Sequence, residues 1–327
     1  MAMVILGVIA LGCTLLIGFA AHRASLCNVR AVAQVMQEKN PQILLSLLQA
    51  VLWMAALTGV LVLAFGLVPQ AAAERMPIAW ALGGGLLFGI GAAVNGGCSL
   101  STLHRLADGN LGMLGTLSGF VLGVWSWFTF MESGVIATLT PAPSVWLRWP
   151  QVAPWLLLPL LGWVATRIVS FWRLALNARA QPLRQILLAP TYHLSVAGAL
   201  LGLSGGLLYA TQGAWSYTNY LRSEVVHIVG GNMAPTMWHG VLVCGLLSGM
   251  MISAMQRRTL VWRFPGRLSA WIRHVGGGLL MGAGAAIIPG GNDTLLLSGL
   301  PSMTEAAIGA YACMLLGIGA TILVLGD

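Results

Sequence analysis

The stretch GGGLLFGIGAAVNGGC, Gly83 to Cys98, is written a second time as GGGLLMGAGAAIIPGGN, Gly276 to Asn292. Nine of the first eleven positions are identical at a constant offset of 193 residues. The chain is therefore a duplication, and each half is read against the other. Each copy is apolar, studded with glycine, and stops at Gly-Gly before one polarisable or polar side chain. A helix that runs into Gly-Gly in an apolar setting breaks there. Two broken helices, one per half, point to a binding site at the repeat interface of a membrane transporter.

Composition supports a membrane setting. The chain is 58% hydrophobic and only 7% charged, with a mean hydropathy of +0.86, whereas charged residues run near a quarter in soluble domains. The expected class is an all-α polytopic membrane protein. Nine spans are expected near 2–20, 43–66, 78–96, 112–131, 154–173, 192–210, 238–256, 272–289 and 303–325. The first lacks the basic leader of a cleaved signal and reads as a retained span. If the intervening segments alternate sides, thirteen of the sixteen Lys and Arg residues fall on one side, leaving Arg75, Arg148 and Arg222 on the other. The positive-inside rule makes the first side cytoplasmic, with the N-terminus outside and the C-terminus inside. This distribution reads the net charge of +8 as membrane topology, not nucleic-acid binding.

Four spans, a fifth and four more place the second half on the opposite face from the first. The expected organisation is a 4+1+4 inverted repeat with broken or re-entrant helices: residues 1–153, a central span and basic cytoplasmic linker at 154–190, and 191–327. Trp146, Trp149 and Trp215, in the longer outside segments, read as interfacial anchors.

Chemistry-bearing residues gather at two places. Segment 21–30, AHRASLCNVR, sets Cys27 between Arg23 and Arg30, and neighbouring cations attract anions and favour a thiolate. Cys98 follows Gly96 and Gly97 and precedes SLSTLHRLADGN, a run able to start a short helix. A thiol at a helix N-terminus is a natural anion contact, and Ser99, Ser101 and Thr102 add hydroxyl donors. The matching site offers Asn292, Asp293 and Thr294. Asn292, aligned with Cys98 after one inserted residue, is expected to face an anion, while Asp293 is expected to cap a helix. Cys13, Cys244 and Cys313 read as packing residues inside apolar spans. No CxxC, zinc spacing, Walker-type loop or nucleotide fingerprint is present, so no metal and no cofactor are expected.

A cysteine shortly after the first span, Gly-Gly-Cys at a broken helix and a second-half copy of that motif resemble the YeeE/YedE family of bacterial membrane proteins. The resemblance covers nearly the whole chain. It implies uptake of thiosulfate or a related sulfur compound across the inner membrane, through an inverted repeat whose intramembrane cysteines line the path. The family's first two cysteines fall on Cys27 and Cys98. At the second-half break, where members taken as thiosulfate transporters carry a third, this chain has Asn292. Small TusA-type sulfurtransferases accompany the family in the cytoplasm, making one an implied partner alongside the lipid bilayer and a small sulfur oxyanion. The expected substrate path is Arg23, Cys27, Gly97, Cys98, Ser101, Asn292 and Asp293.

Two other readings compete. A membrane enzyme could pass sulfane sulfur through Cys27 or Cys98, with His22 or His104, the only histidines close in sequence, as base. A scaffold would use the glycine motifs for packing alone, but packing does not require a Gly-Gly-polar break in both halves.

Overall fold

A computed structural model of the chain describes residues 2–66, 73–74, 78–130, 141–142, 144–177, 189, 192–230, 233, 235–288 and 290–326. Arg75, Arg179, Arg184 and Pro289, and with them most of the expected linker beyond 177, lie outside the described residues.

The first half runs α1 (Ala2–Ala24), α2 (Asn28–Glu38), α3 (Gln42–Phe65), α4 (Ile78–Asn95), α5 (Ser99–Ala107) and α6 (Gly112–Phe130). A single turn, α7 (Val145–Arg148), and the long α8 (Ala153–Asn177) follow. The second half repeats the pattern as α9 (Leu194–Gln212), α10 (Tyr217–Ile228), α11 (Met237–Arg257), α12 (Leu268–Ile287), α13 (Asn292–Thr294) and α14 (Glu305–Leu325). A π-turn, Leu295–Gly299, extends α13. The described strands are two residues each, Ala73–Glu74 and Pro141–Ala142, paired antiparallel. Helices dominate because apolar backbone in a bilayer must satisfy its N–H and C=O groups internally.

The chain is an all-α polytopic membrane protein. Among the described residues, seven helical stretches are long and apolar enough to cross a membrane, and α12 with the segment Asn292–Gly299, bent by 47°, makes an eighth. The expected ninth, at 112–131, forms α6 but is not among those eight. The expectation of two broken helices is enlarged to four. Short helices also follow α1 and α9, and the stretches Val4–Glu38 and Leu194–Ile228 each include one.

The halves pack reciprocally. Helix α4 lies on α14 and α12 lies on α6; α3 lies on α9 and α11 on α1; α4 meets α12 and α1 meets α9. Exchanging each helix for its counterpart (α1 with α9, α3 with α11, α4 with α12, α6 with α14) returns the same set of pairs. The duplicated glycines explain this closeness. A Cβ at Gly85 or Gly89 would collide with the carbonyl oxygen of Ala310 or Met314 on α14. One at the equivalent Gly278 or Gly282 would collide with that of Thr116 or Phe120 on α6.

At one end of the molecule the segments after α1, α5 and α11 meet. Val261 N–H donates to Asp108 O at 3.0 Å, Arg263 N–H to Gly109 O at 2.9 Å, and Arg257 to His22 O at 3.1 Å. Helix α8 packs on α3 and leaves Trp155, Leu158, Ile168 and Trp172 exposed, as side chains facing lipid would be. Two of the three expected interfacial tryptophans are buried instead. Trp146 donates Nε1–H to Pro301 O at 3.1 Å and Trp215 donates to His239 O at 3.3 Å, while Trp149 is exposed. Their indole N–H groups find carbonyl partners within the fold, so they need no interfacial water.

Candidate functional site

Each break releases a helix N-terminus whose first N–H groups have no intrahelical partner. The residues preceding the four short helices are Cys27 for α2, Cys98 for α5, Ser216 for α10 and Gly291 for α13. Gly96 and Gly290 make the two glycine-motif breaks possible, with φ of +72° and +95°. After the glycine pair the second half turns into helix one residue sooner. The N-cap position opposite that of Cys98 is therefore Gly291, and Asn292 stands where Ser99 stands.

These N-termini converge in the buried interior. The Cys27 thiol lies beside the Cys98 thiol and Ser101. Asn292 Oδ1 accepts from Ser99 N–H at 3.2 Å and from the Ser99 hydroxyl. Asp293 caps a helix, as expected, but not its own: its carboxylate accepts the Thr218 N–H of α10 at 3.2 Å, with the Thr218 and Ser99 hydroxyls. Ser216 Oγ lies 2.5 Å from Thr294 Oγ1, and Gly291 N–H donates to Thr218 Oγ1 at 2.8 Å. Tyr217 lies beside Ser99, and Tyr311 OH donates to Asn28 Oδ1 at 3.1 Å. The other side of that amide, Asn28 Nδ2, is buried with no hydrogen-bond partner among the described residues.

The first-half break is braced from behind. Asn95 Nδ2 donates to Gly97 O at 2.9 Å, Arg105 donates to Gly96 O at 2.5 Å, and Asn95 Oδ1 is held by Thr116 at 2.7 Å and His274 at 2.8 Å. The two glycine carbonyls are thus engaged by donors, which favours a centre lined by N–H, O–H and S–H groups. Gly97 also lacks room for a side chain, since a Cβ would strike Ser101 Oγ.

Of the residues singled out in the sequence, Cys27, Cys98, Gly97, Ser101, Asn292 and Asp293 meet here. Arg23 points elsewhere: its guanidinium is engaged by Ala189 O and Gln256, over the rings of Phe19 and Tyr192. His22 and His104 are held by Asp108 at 3.1 and 3.4 Å, at the far end of α5 from Cys98. Neither takes the place of a base beside a thiol. Cys13 is buried, as a packing residue should be, but Cys244 is exposed and Cys313 half-buried.

Sequence reasoning missed Asn28, Ser216, Tyr217, Thr218, Tyr311 and the Asn95 brace. The break between α9 and α10 repeats that between α1 and α2 in place only; Gly213 followed by Ser216 was its one legible signal.

A family model described as Sulphur transport matches residues 23–320. The chain is 27% identical over 296 residues to the thiosulfate transporter TsuA of Escherichia coli (strain K12), covering 85% of this chain and 83% of that protein. It is 22% identical over 263 residues to the thiosulfate transporter TsuA of Spirochaeta thermophila, covering 72% of this chain and 74% of that protein.

Proposed function

The chain belongs to the Sulphur transport family, the YeeE/YedE family that its motifs resemble, and on that premise we propose that it carries thiosulfate or a closely related sulfur anion across the bacterial inner membrane. The cargo passes through the centre where the four short helices begin. The observation that carries this reading is the buried, donor-rich set around Cys27, Cys98 and Asn292, together with the unpartnered Asn28 Nδ2. Thiols, hydroxyls, an amide and helix N-termini replace the hydration shell of an anion without binding it as tightly as a fixed cation would. Weak successive contacts let an ion enter and leave, as conduction requires. Thiosulfate suits a thiol-lined path because its terminal sulfur is soft and modestly hydrated.

In the closed arrangement Asn292 Oδ1 occupies the Ser99 N–H. An incoming anion oxygen would take that donor over and release the amide, whose own N–H groups could then face the cargo. The two halves would be inverted repeats in an N-out, C-in orientation. The meeting of the segments after α1, α5 and α11 at one end supports this, because the charge distribution assigns all three to the cytoplasmic side. A cytoplasmic TusA-type sulfurtransferase as recipient of the sulfur belongs to the same reading. The family and its named relatives are transporters, and the two histidines close to the thiols in sequence are engaged by Asp108, which disfavours a sulfur-transferring enzyme. The test is uptake of labelled thiosulfate into proteoliposomes. Saturable uptake lost in Cys98→Ala supports the reading, and its absence from the folded wild-type protein overturns it.

A further inference from the structure

Outside the anion centre, one titratable cluster joins three helices. His22 lies near the end of α1, His104 in the last turn of α5, and Asp108 is the residue that ends α5. Their side-chain ligand atoms lie within 4.8 Å of one another, and the two imidazole rings lie with centroids 4.2 Å apart, tilted by 39°. Helix α11 closes the cluster. Ser253 Oγ lies 3.0 Å from His22 Nδ1, Arg257 approaches the same nitrogen at 3.4 Å, and Thr259, just after α11, donates to Asp108. The charged and titratable groups facing His22 are therefore Asp108 and His104 from the α5 segment and Arg257 from α11, with Arg23 behind Arg257.

The hydrogen-bond pattern defines a protonation state. If His22 Nε2–H donates to Asp108, Nδ1 is left as an acceptor for Ser253 and Arg257, so the ring is neutral and satisfied. Adding a proton at Nδ1 turns it into a donor and sets a second positive charge against the Arg257 guanidinium. Burial would raise the Asp108 carboxyl, but hydrogen bonds from His104, His22 and Thr259 outweigh it and hold it well below the ordinary carboxylate range. Asp108 thus stays an anion able to hold one or two imidazolium partners.

Both thiol-bearing breaks are anchored in this cluster. The chain runs from His22 through four residues to Cys27, and α5 runs from Cys98 at the centre to His104 and Asp108. We propose that the His22–Asp108–His104 cluster is a proton-binding site that couples proton entry to anion entry. This rests on the transport reading above and adds its driving force. Proton binding at His22 displaces Arg257, loosens α11 from the ends of α1 and α5, and so changes the spacing of Cys27 and Cys98. The interior-negative membrane potential opposes entry of a dianion, and two histidines supply places for the two protons that would make the movement electroneutral. A divalent metal fits less well, because it would share the cluster with the Arg257 guanidinium.

Proteoliposomes separate this proposal from the reading beneath it. Counterflow of labelled thiosulfate, with thiosulfate equal on both sides, reports passage without a driving force. Accumulation under an inward gradient of one pH unit, with the potential clamped to zero, reports coupling. Wild type should show counterflow and accumulate about tenfold for each proton carried. His104→Gln, at a partly exposed position, and His22→Gln should keep counterflow and lose the accumulation. A thiosulfate pulse should also acidify the lumen of wild-type vesicles, read by an entrapped pH dye, which covers the case in which the variants do not fold. Counterflow without gradient-driven accumulation or acidification in wild type overturns the coupling and leaves the transport reading standing. Variants that accumulate like wild type, or stimulation by zinc that requires both histidines, also overturn it. Absence of counterflow from folded wild type removes the transport reading and the coupling with it.

Discussion

Asn292 Oδ1 accepts the backbone N–H of Ser99 at 3.2 Å, across a separation of 193 residues. That separation equals the offset of the duplication, so the first residue of each glycine-motif short helix touches its own counterpart. Contacts between equivalent residues are what the reciprocal packing of the two halves brings about. The Ser99–Asn292 contact therefore lies where the two glycine-motif breaks meet, with Cys98 next to it in the chain.

Replacing Asn292 tests that contact. Asn292→Leu removes the acceptor for a buried N–H and hydroxyl, which should cost about 1–3 kcal/mol of stability and most of the uptake. Asn292→Cys should preserve uptake, because a thiol is what the resembling transporters carry there. Thermal melts and thiosulfate uptake check both. Equal loss in the two variants would mean that the amide serves the closed structure and not the cargo.

Cys98→Ala should abolish most uptake while the protein stays folded, since one buried sulfur leaves a small void worth about 1–2 kcal/mol by analogy with other small truncations. Cys98→Ser should retain part of the activity, because a hydroxyl donates at least as well as a thiol. Normal uptake in Cys98→Ala would reduce the thiol to packing. Cys244→Ala should change neither uptake nor melting temperature, because Cys244 is exposed.

The glycine contacts give a paired prediction. Gly89→Ala and Gly282→Ala drive a methyl group into the Met314 and Phe120 carbonyls, and each should destabilise by about 1–3 kcal/mol. Gly83→Ala and Gly276→Ala have nothing within 4 Å of the added carbon and should be silent in the same melting assay. Similar losses in all four would show that helix packing is not what the motif preserves.

Topology can be read directly. A tag at the N-terminus should react with a membrane-impermeant label from the periplasm, and cysteines placed in 258–267 only from the cytoplasm. Labelling of both from one side would remove the nine-span reading and the inverted repeat.

The sequence made the duplication, the membrane class and the pair Cys27 and Cys98 legible, because glycine breaks and apolar runs are local signals. It did not reveal the other half of the centre. Ser216 and Thr218 share no residue with the segment around Cys27, and their meeting with Thr294 and Asp293 depends on helix crossings. Arg23 was misread for a similar reason: adjacency to Cys27 in sequence suggested a shared role, whereas the side chain turns toward Gln256. The His22–Asp108 contact spans 86 residues, and no spacing rule reaches that far.

The swapped clamp between α4 and α14 also orders events during synthesis. Helix α4 leaves the ribosome with a glycine face shaped for a helix made some two hundred residues later. At about 5–20 residues per second, that face waits on the order of ten to forty seconds for its neighbour. An insertase or surrounding lipid must shield it meanwhile. A chain cut short before α14 would leave the centre unbuilt, so a nonsense mutation near residue 305 should be as damaging as one near the start.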